Sequence, residues 1–433
     1  MKKWYLLFTA AAVFATAPVS SVLAGEIDIL LEKLVDKGVL TAGEARQIAA
    51  ETKEDVRKEV AAGKSDTLPK WVQNTKLKGD FRLRYQMDHA KSSHNQTKNR
   101  QRGRIRARLG LESKVNEKLL VAVGMATGLN EYTTSNKDTI RSTNQTLGAS
   151  WSKKPFNLDY AYAKYTPMSG FAVIGGKMLL KDAIWEPGDL MWDTDITPEG
   201  VAFDFAGNVN SDMSVFLKSG FFLLEEISSS NDDPYSIHIQ PGMDMKIADG
   251  ISLRASVAAD YFRVRDFTLK GSSVSNTGSY KSGDNSYAVP MANYTNIMPA
   301  LELKFSDPFK AFHINVPQLR LFGEYVRNFA DIDPYTGKSG YMLGFGLGAD
   351  KVAKFGDWVL KYNYARLEKN AVLDILPDSD RYEGKTNIRA HEIALDFGLG
   401  ENTWLGLDVY RAQLLTAPRA PSTVVQVDWN MKF

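Results

Sequence analysis

Cysteine is absent from all 433 residues, so neither a disulfide nor a thiolate metal site can hold this fold. Stability has to come from packing and hydrogen bonding. An excess of one charge is also missing: 53 Lys and Arg against 51 Asp and Glu leave a formal charge of +2, far from the basic surplus of a general nucleic-acid binder. Long apolar runs are absent beyond the first residues. The run from Trp4 to Ala17 is Ala-rich, interrupted by Thr, and shorter than the about 20 apolar residues a spanning helix needs. Catalytic signatures are equally scarce. There is no Gly-x-Ser-x-Gly, no His-Glu-x-x-His, no phosphate-binding glycine loop and no calcium-loop spacing. Of the five histidines, His89 and His94 fall in a polar loop, and His238, His313 and His391 show no serine and acid partners by spacing. No enzymatic activity, metal or cofactor is expected.

What is present begins with Lys2 and Lys3, the apolar run, and Val22-Leu23-Ala24 with small residues at the positions a signal peptidase inspects. Residues 1–24 therefore read as a signal peptide, cleaved near Ala24. Residues 25–66 read as a helical segment. Ile27, Leu30, Leu31, Leu34 and Val35 recur at helical spacing before Gly38, a helix terminator. A second helix starts at Thr41, whose side chain with that of Glu44 makes a capping box. Its narrow apolar stripe, through Ile48, Thr52, Val56 and Val60, suits coiled-coil self-association or docking better than a globular core.

From Lys76 the period changes to two and stays there. Leu77, Phe81, Leu83 and Tyr85 alternate with Lys78, Arg82, Arg84 and Gln86, and Ile105, Ala107 and Leu109 with Arg104, Arg106 and Arg108. Val425, Val427, Trp429, Met431 and Phe433 close the chain against Gln426, Asp428, Asn430 and Lys432. The strands read 76–87, 103–115, 118–128, 156–166, 171–180, 199–208, 212–225, 235–248, 250–264, 295–306, 315–329, 339–349, 357–367, 388–399, 402–413 and 423–433. That is sixteen, and each is near or above the about 9 to 11 residues of a tilted bilayer-crossing strand.

The connections alternate in length. Short turns such as 116–117, 209–211 and 400–401 separate longer loops at 88–102, 129–155, 181–198, 226–234, 265–294, 330–338, 368–387 and 414–422. A soluble sandwich has no reason to sort loops by parity, whereas a bilayer gives the two ends of a barrel different solvents. The mean hydropathy of −0.28 does not oppose this, because barrel strands alternate lipid-facing and lumen-facing residues and average near neutral. The expected fold is therefore all-β: a transmembrane antiparallel barrel of about sixteen strands over residues 67–433, behind the helical segment.

With apolar positions facing lipid, Lys78, Arg82, Arg84, Arg104, Arg106 and Arg108 line the lumen as adjacent basic rows. Water or nearby carboxylates must screen them. The most acidic loop carries Asp182, Glu186, Asp189, Asp193, Asp195 and Glu199. Folded inward, it sets acids against the arginines across a constriction; an outward, solvated loop fits the same residues equally well.

On Leu31 to Thr41, Leu77 to Tyr85, Arg104 to Glu112 and the terminal Phe433, the chain resembles the bacterial "putative porin" family and is broadly similar to sixteen-stranded general porins. The resemblance implies an outer-membrane barrel of a Gram-negative bacterium that passes small hydrophilic solutes and ions, as a homotrimer in outer-membrane lipid, with the third external loop narrowing the pore. It also implies that Phe433 serves as the signal read by the barrel-assembly machinery. General porins lack so marked a helical start. A structural tether to peptidoglycan or a periplasmic partner through that segment is the alternative reading, and an enzymatic barrel a more distant one. No solute is implied.

Overall fold

The computed structural model describes residues 70–91, 97–128, 140–226, 228, 233–264, 269–270, 277–282, 285–290, 293–331, 337–416 and 421–433, with residues 35, 40, 41 and 43–48 near the start. The chain divides into two compact units, Met1–Gln73 and Asn74–Phe433. In the first, residues 43–48 are helical, and the capping box forms as the spacing predicts. The Thr41 N–H donates to Glu44 Oε2 at 2.9 Å, and the Glu44 N–H to Thr41 Oγ1 at 3.3 Å. The signal peptide and the stripe beyond Ile48 lie outside the described residues.

The second unit is built on one large antiparallel sheet. Its long strands are β1 Thr75–Lys91, β2 Thr97–Lys114, β3 Leu119–Thr127, β4 Phe156–Met168, β5 Phe171–Lys177, β6 Glu199–Asn208, β7 Met213–Leu223 and β8 Tyr235–Ala248. They continue as β9 Ile251–Arg263, β10 Tyr294–Ser306, β11 Gln318–Asn328, β12 Ser339–Gly348, β13 Trp358–Leu367, β14 Ile388–Gly400, β15 Thr403–Leu414 and β16 Ser422–Lys432. Each pairs with the next in sequence. β16 then pairs with β1, from Asp80↔Lys432 to Ala90↔Ser422, and closes the barrel. Closure leaves no row of unpaired backbone groups, which hydrocarbon could not satisfy.

The two faces reverse the soluble pattern. Leu83, Leu109, Phe203, Leu217, Ile239, Val257, Leu343, Ile393, Leu407 and Val427 are exposed on the outside, while Arg84, Arg104, Gln240, Asp260, Asn296, Asn328, Gln426 and Asp428 are buried within. Buried polar and exposed apolar residues on the same strands are what a lipid-facing exterior and a polar interior require. Outward aromatics gather near both ends of the strands. Phe205, Trp358 and Phe397 stand toward the turns, and Phe221, Tyr235, Tyr261, Tyr341 and Tyr364 toward the loops, with Phe221 stacked on Tyr235 at 5.2 Å. Leu407, mid-strand and outward between Leu395 and Val427, is the place to test this orientation. Leu407→Arg should cost about 2–4 kcal/mol in equilibrium unfolding from lipid vesicles; an unchanged stability would mean that this face does not meet lipid.

Close backbone approach fixes two glycines. The Gly79 and Phe433 backbones exchange hydrogen bonds at 2.9 and 3.0 Å, and a Cβ on Gly79 would run into the Phe433 ring. Inside the barrel, Tyr160 lies flat across Gly110 and Gly124, where any side chain would displace it.

Some boundaries differ from the sequence reading. Residues 88–102, expected as a loop, are mostly strand, because β1 and β2 pair on to Lys91↔Thr97. Backbone pairing continues there without any apolar alternation to announce it. β5 ends at Lys177, not near 180, because the chain turns inward: Met178 is fully buried and its N–H donates to Pro198 O at 2.8 Å. The loop after β9 carries a small sheet of Leu269–Lys270, Thr277–Ser282 and Asn285–Pro290.

Candidate functional site

A charged wall of the lumen is built on β16, β1 and β2. Register places Arg82 beside Arg106 and Arg84 beside Arg104 across the first hairpin, and Arg84 beside Asp428 across the closing seam. Five arginines this close are tolerated because carboxylates and amides interleave with them. Arg84 grips Asp428 through two bonds of 2.8 Å. Arg82 donates to Asn430 at 2.9 Å, and Arg104 to Gln86 at 2.9 Å. Asp80 accepts from both Arg106 and Arg108, at 3.0 and 2.7 Å. Lys78 is more exposed, at the turn-side end of the row, and pairs with Glu112.

Against this wall stand two loops folded into the barrel. The loop between β5 and β6, residues 178–198, begins with a single helical turn at Leu180–Ala183. It buries Ile184, Leu190, Met191 and Trp192 against wall residues such as Ile174, Phe262, Met298 and Met342. The loop between β13 and β14, residues 368–387, adds Val372, Leu373, Ile375 and Leu376 to the same cluster. Apolar burial of this kind is non-directional, so it seats the loops without choosing their exact position. Polar contacts choose it. Asp193 N–H donates to Leu376 O at 2.6 Å, and Ser379 N–H to Asp193 Oδ2 at 2.9 Å. Arg381 joins Asp189 at 2.6 Å and Glu392 of β14 at 3.1 Å, with Asp378 at 3.7 Å. Arg141, from the loop after β3, donates to the carbonyls of Asp374, Pro377 and Gly384.

The acidic residues singled out in the sequence therefore scatter in role. Asp195 reaches the arginine wall, 3.2 Å from Arg108, with Thr143 on its other oxygen at 3.2 Å. Asp193 holds the partner loop, and Asp189 holds Arg381. Asp182 accepts from the Tyr162 hydroxyl at 2.9 Å. Glu186 is buried beside Glu324, and both desolvation and that neighbour raise its proton affinity. Glu199, 61% exposed, opens β6 and pairs with Lys177 at 2.8 Å, away from the arginines. The loop does fold inward, and Asp195 is its one carboxylate, among the described residues, bonded to the wall.

The second inward loop was not expected, although Asp380 contributes as much as Asp195: it accepts from Arg84 at 3.1 Å. A signal was available in Ala371-Val-Leu-Asp-Ile-Leu376, an apolar run that an external loop has no reason to carry. His238 also has an acid partner that spacing did not reveal. Its Nδ1 lies 2.7 Å from Asp260, on the neighbouring strand, with both side chains buried.

The site carries a pH dependence. Burial, and then the neighbouring Asp195, push the Asp193 carboxyl up to about 8. The folded form thus favours protonated Asp193, so its contribution to loop docking is full at acid pH and is lost as pH rises through about 8. Loop mobility, followed by hydrogen exchange at residues 371–382 divided by the intrinsic exchange rate at each pH, should rise between pH 7 and 9, and Asp193→Asn should remove that rise. A wild-type profile flat across this range would contradict it.

The family model described as "putative porin" matches residues 44–96, 89–323 and 314–433, which together span the whole barrel and the thirty residues before it. The chain belongs to this family. Its fold is that of a bacterial outer-membrane channel. Among solved structures, OprB of Pseudomonas putida superposes with a TM-score of 0.54 at 11% identity, over 84% of this chain and 95% of that one. A loop-deletion mutant of OmpT, an outer membrane protein of Vibrio cholerae, gives 0.48 at 10% identity, over 83% and 100%. The outer membrane channel DcaP of Acinetobacter baumannii gives 0.45 at 11%, over 83% and 97%. At these identities the likeness concerns the fold alone, and no curated protein matches the sequence.

Proposed function

We propose that this porin-family barrel is a passive diffusion channel for small hydrophilic solutes and ions, through a water-filled lumen narrowed between the arginine wall and the two inward loops. The observation that carries this reading is the arginine rows aimed into the barrel, met there by carboxylates of the two inward loops: Arg108 by Asp195 and Arg84 by Asp380. Charged rows aimed inward are costly in a dry interior and suited to a hydrated one. Lys78, Arg82, Arg84, Arg104, Arg106 and Arg108 are its basic lining, with Asp195 and Asp380 as the loop carboxylates that meet them.

The same reading takes residues 1–24 as a signal peptide removed near Ala24, 25–66 as a periplasmic helical segment and 67–433 as the barrel. It places a homotrimer in outer-membrane lipid, with Phe433 presented to the assembly machinery. Swelling of liposomes that carry the purified protein tests the central point. Rates should fall steeply with solute size, from glycine to a disaccharide. Swelling no faster than in protein-free liposomes, from a barrel shown to be inserted, would overturn it.

A further inference from the structure

A cavity with a volume of about 440 Å³ lies on the loop side of β3, β4 and β7, next to the arginine wall through the shared Asp195. That size is within the range of small-molecule sites, about 300–1,000 Å³. Its lining includes the apolar Trp192, Phe222 and Leu376. It also includes Asp159, Asp195, Glu199, Glu225 and Glu226, against Lys177 as the one basic lining residue among the described residues. Lys177 is held by Glu199 at 2.8 Å, and Asp195 by Arg108 at 3.2 Å, so the balance of the lining stays negative.

Two further features point to a ligand. Asp159 sits at an irregularity of register: Leu158 faces Met125 and Tyr160 faces Gly124, leaving Asp159 opposite no residue of β3. Such bulges re-aim a side chain, and this one places the carboxylate on the cavity wall. Ser236 and Trp192, 1% and 3% exposed, also line the cavity, and among the described residues neither Ser236 Oγ nor Trp192 Nε1 has a hydrogen-bond partner. Buried polar groups are normally satisfied, and Ser236 Oγ can accept from an ammonium N–H, whereas the Trp192 N–H, a donor, needs an acceptor instead.

We infer that this cavity binds a small organic cation, an ammonium group on an apolar body, with Asp159 and Glu226 facing the ammonium and Trp192 and Phe222 holding the body. This deepens the channel reading by naming the solute class favoured at the loop-side entrance. Binding itself does not require conduction.

The test is isothermal titration calorimetry of the full chain in detergent, with phenethylammonium as the probe and phenylacetate and 2-phenylethanol as its acidic and neutral counterparts. Phenethylammonium should bind, and the other two should bind at least about tenfold more weakly, as expected for loss of a charge-assisted contact. Asp159→Asn should weaken the cation by a similar factor of about ten. Because Asp159 lies on a barrel strand, the exposed Glu226→Gln provides a second variant that leaves the barrel intact, expected to weaken binding less. Equal binding of all three probes, no binding of phenethylammonium, or an unchanged affinity in both variants would overturn the inference. Failure of liposome swelling with binding intact would instead count against the channel reading alone.

Discussion

Replacing Arg381 with alanine should make the channel flicker to a larger conducting level. The side chain is 3% exposed and holds Asp189, Asp378 and Glu392 together, so its removal leaves three carboxylates without their shared counter-cation. Breaking such a buried arrangement costs about 3–5 kcal/mol. Against that stands the burial of Val372, Leu373, Ile375 and Leu376, each contributing about 1.5–3 kcal/mol. The apolar anchor is the larger quantity. The loop should therefore stay docked most of the time and leave transiently, which appears as brief openings in single-channel records and as new proteolytic cleavage within 371–382. Arg381→Lys, which keeps the charge but not the planar fork, should fall between the two. A record identical to wild type, from a barrel that still migrates as folded, would show that the second loop does not narrow the pore.

Charge reversal at Asp195 should turn the channel toward anions. Asp195 and Asp380 are the loop carboxylates bonded to the arginine wall, and Asp195→Lys replaces the attraction to Arg108 with a second positive charge beside it. The reversal potential under a salt gradient should move toward the anion equilibrium potential. The shift should be large at 0.1 M salt and small at 1 M, since the Debye length falls from about 10 Å to about 3 Å. Asp182→Asn is the control. Asp182 bonds Tyr162 and not the wall, so its loss should leave selectivity where it was. Equal shifts from the two variants would mean that loop charge acts diffusely and the Asp195 contact has no special place.

The barrel was legible in the sequence because its signal repeats. Period-two alternation gives every strand the same inward and outward assignment, and Arg84, Arg104 and Asp428 land inside for the same reason that Leu83, Leu407 and Val427 land outside. Where alternation stops carrying information, the reading stopped too. The tips of β1 and β2 pair beyond the apolar band, where no lipid selects the side chains. The inward loops were harder because their placement depends on contacts between residues far apart in the chain, Asp189 with Arg381 and Arg141 with Gly384. No local period encodes these. Counting acids in residues 181–198 found a charged loop but could not sort Asp195, which faces the wall, from Asp193, which holds the other loop. The length of loop 368–387 suits an external connection, while its apolar run at 371–376 contradicts an external position.

Single-channel recording of the wild-type protein in planar bilayers, under a potassium chloride gradient, tests the central claim most directly. Stable conductance steps are expected, with weak selectivity, because Asp80, Asp428, Asp195 and Asp380 offset most of the arginine wall. A barrel that inserts correctly and never conducts would contradict the account, and would mean that the two inward loops seal the lumen.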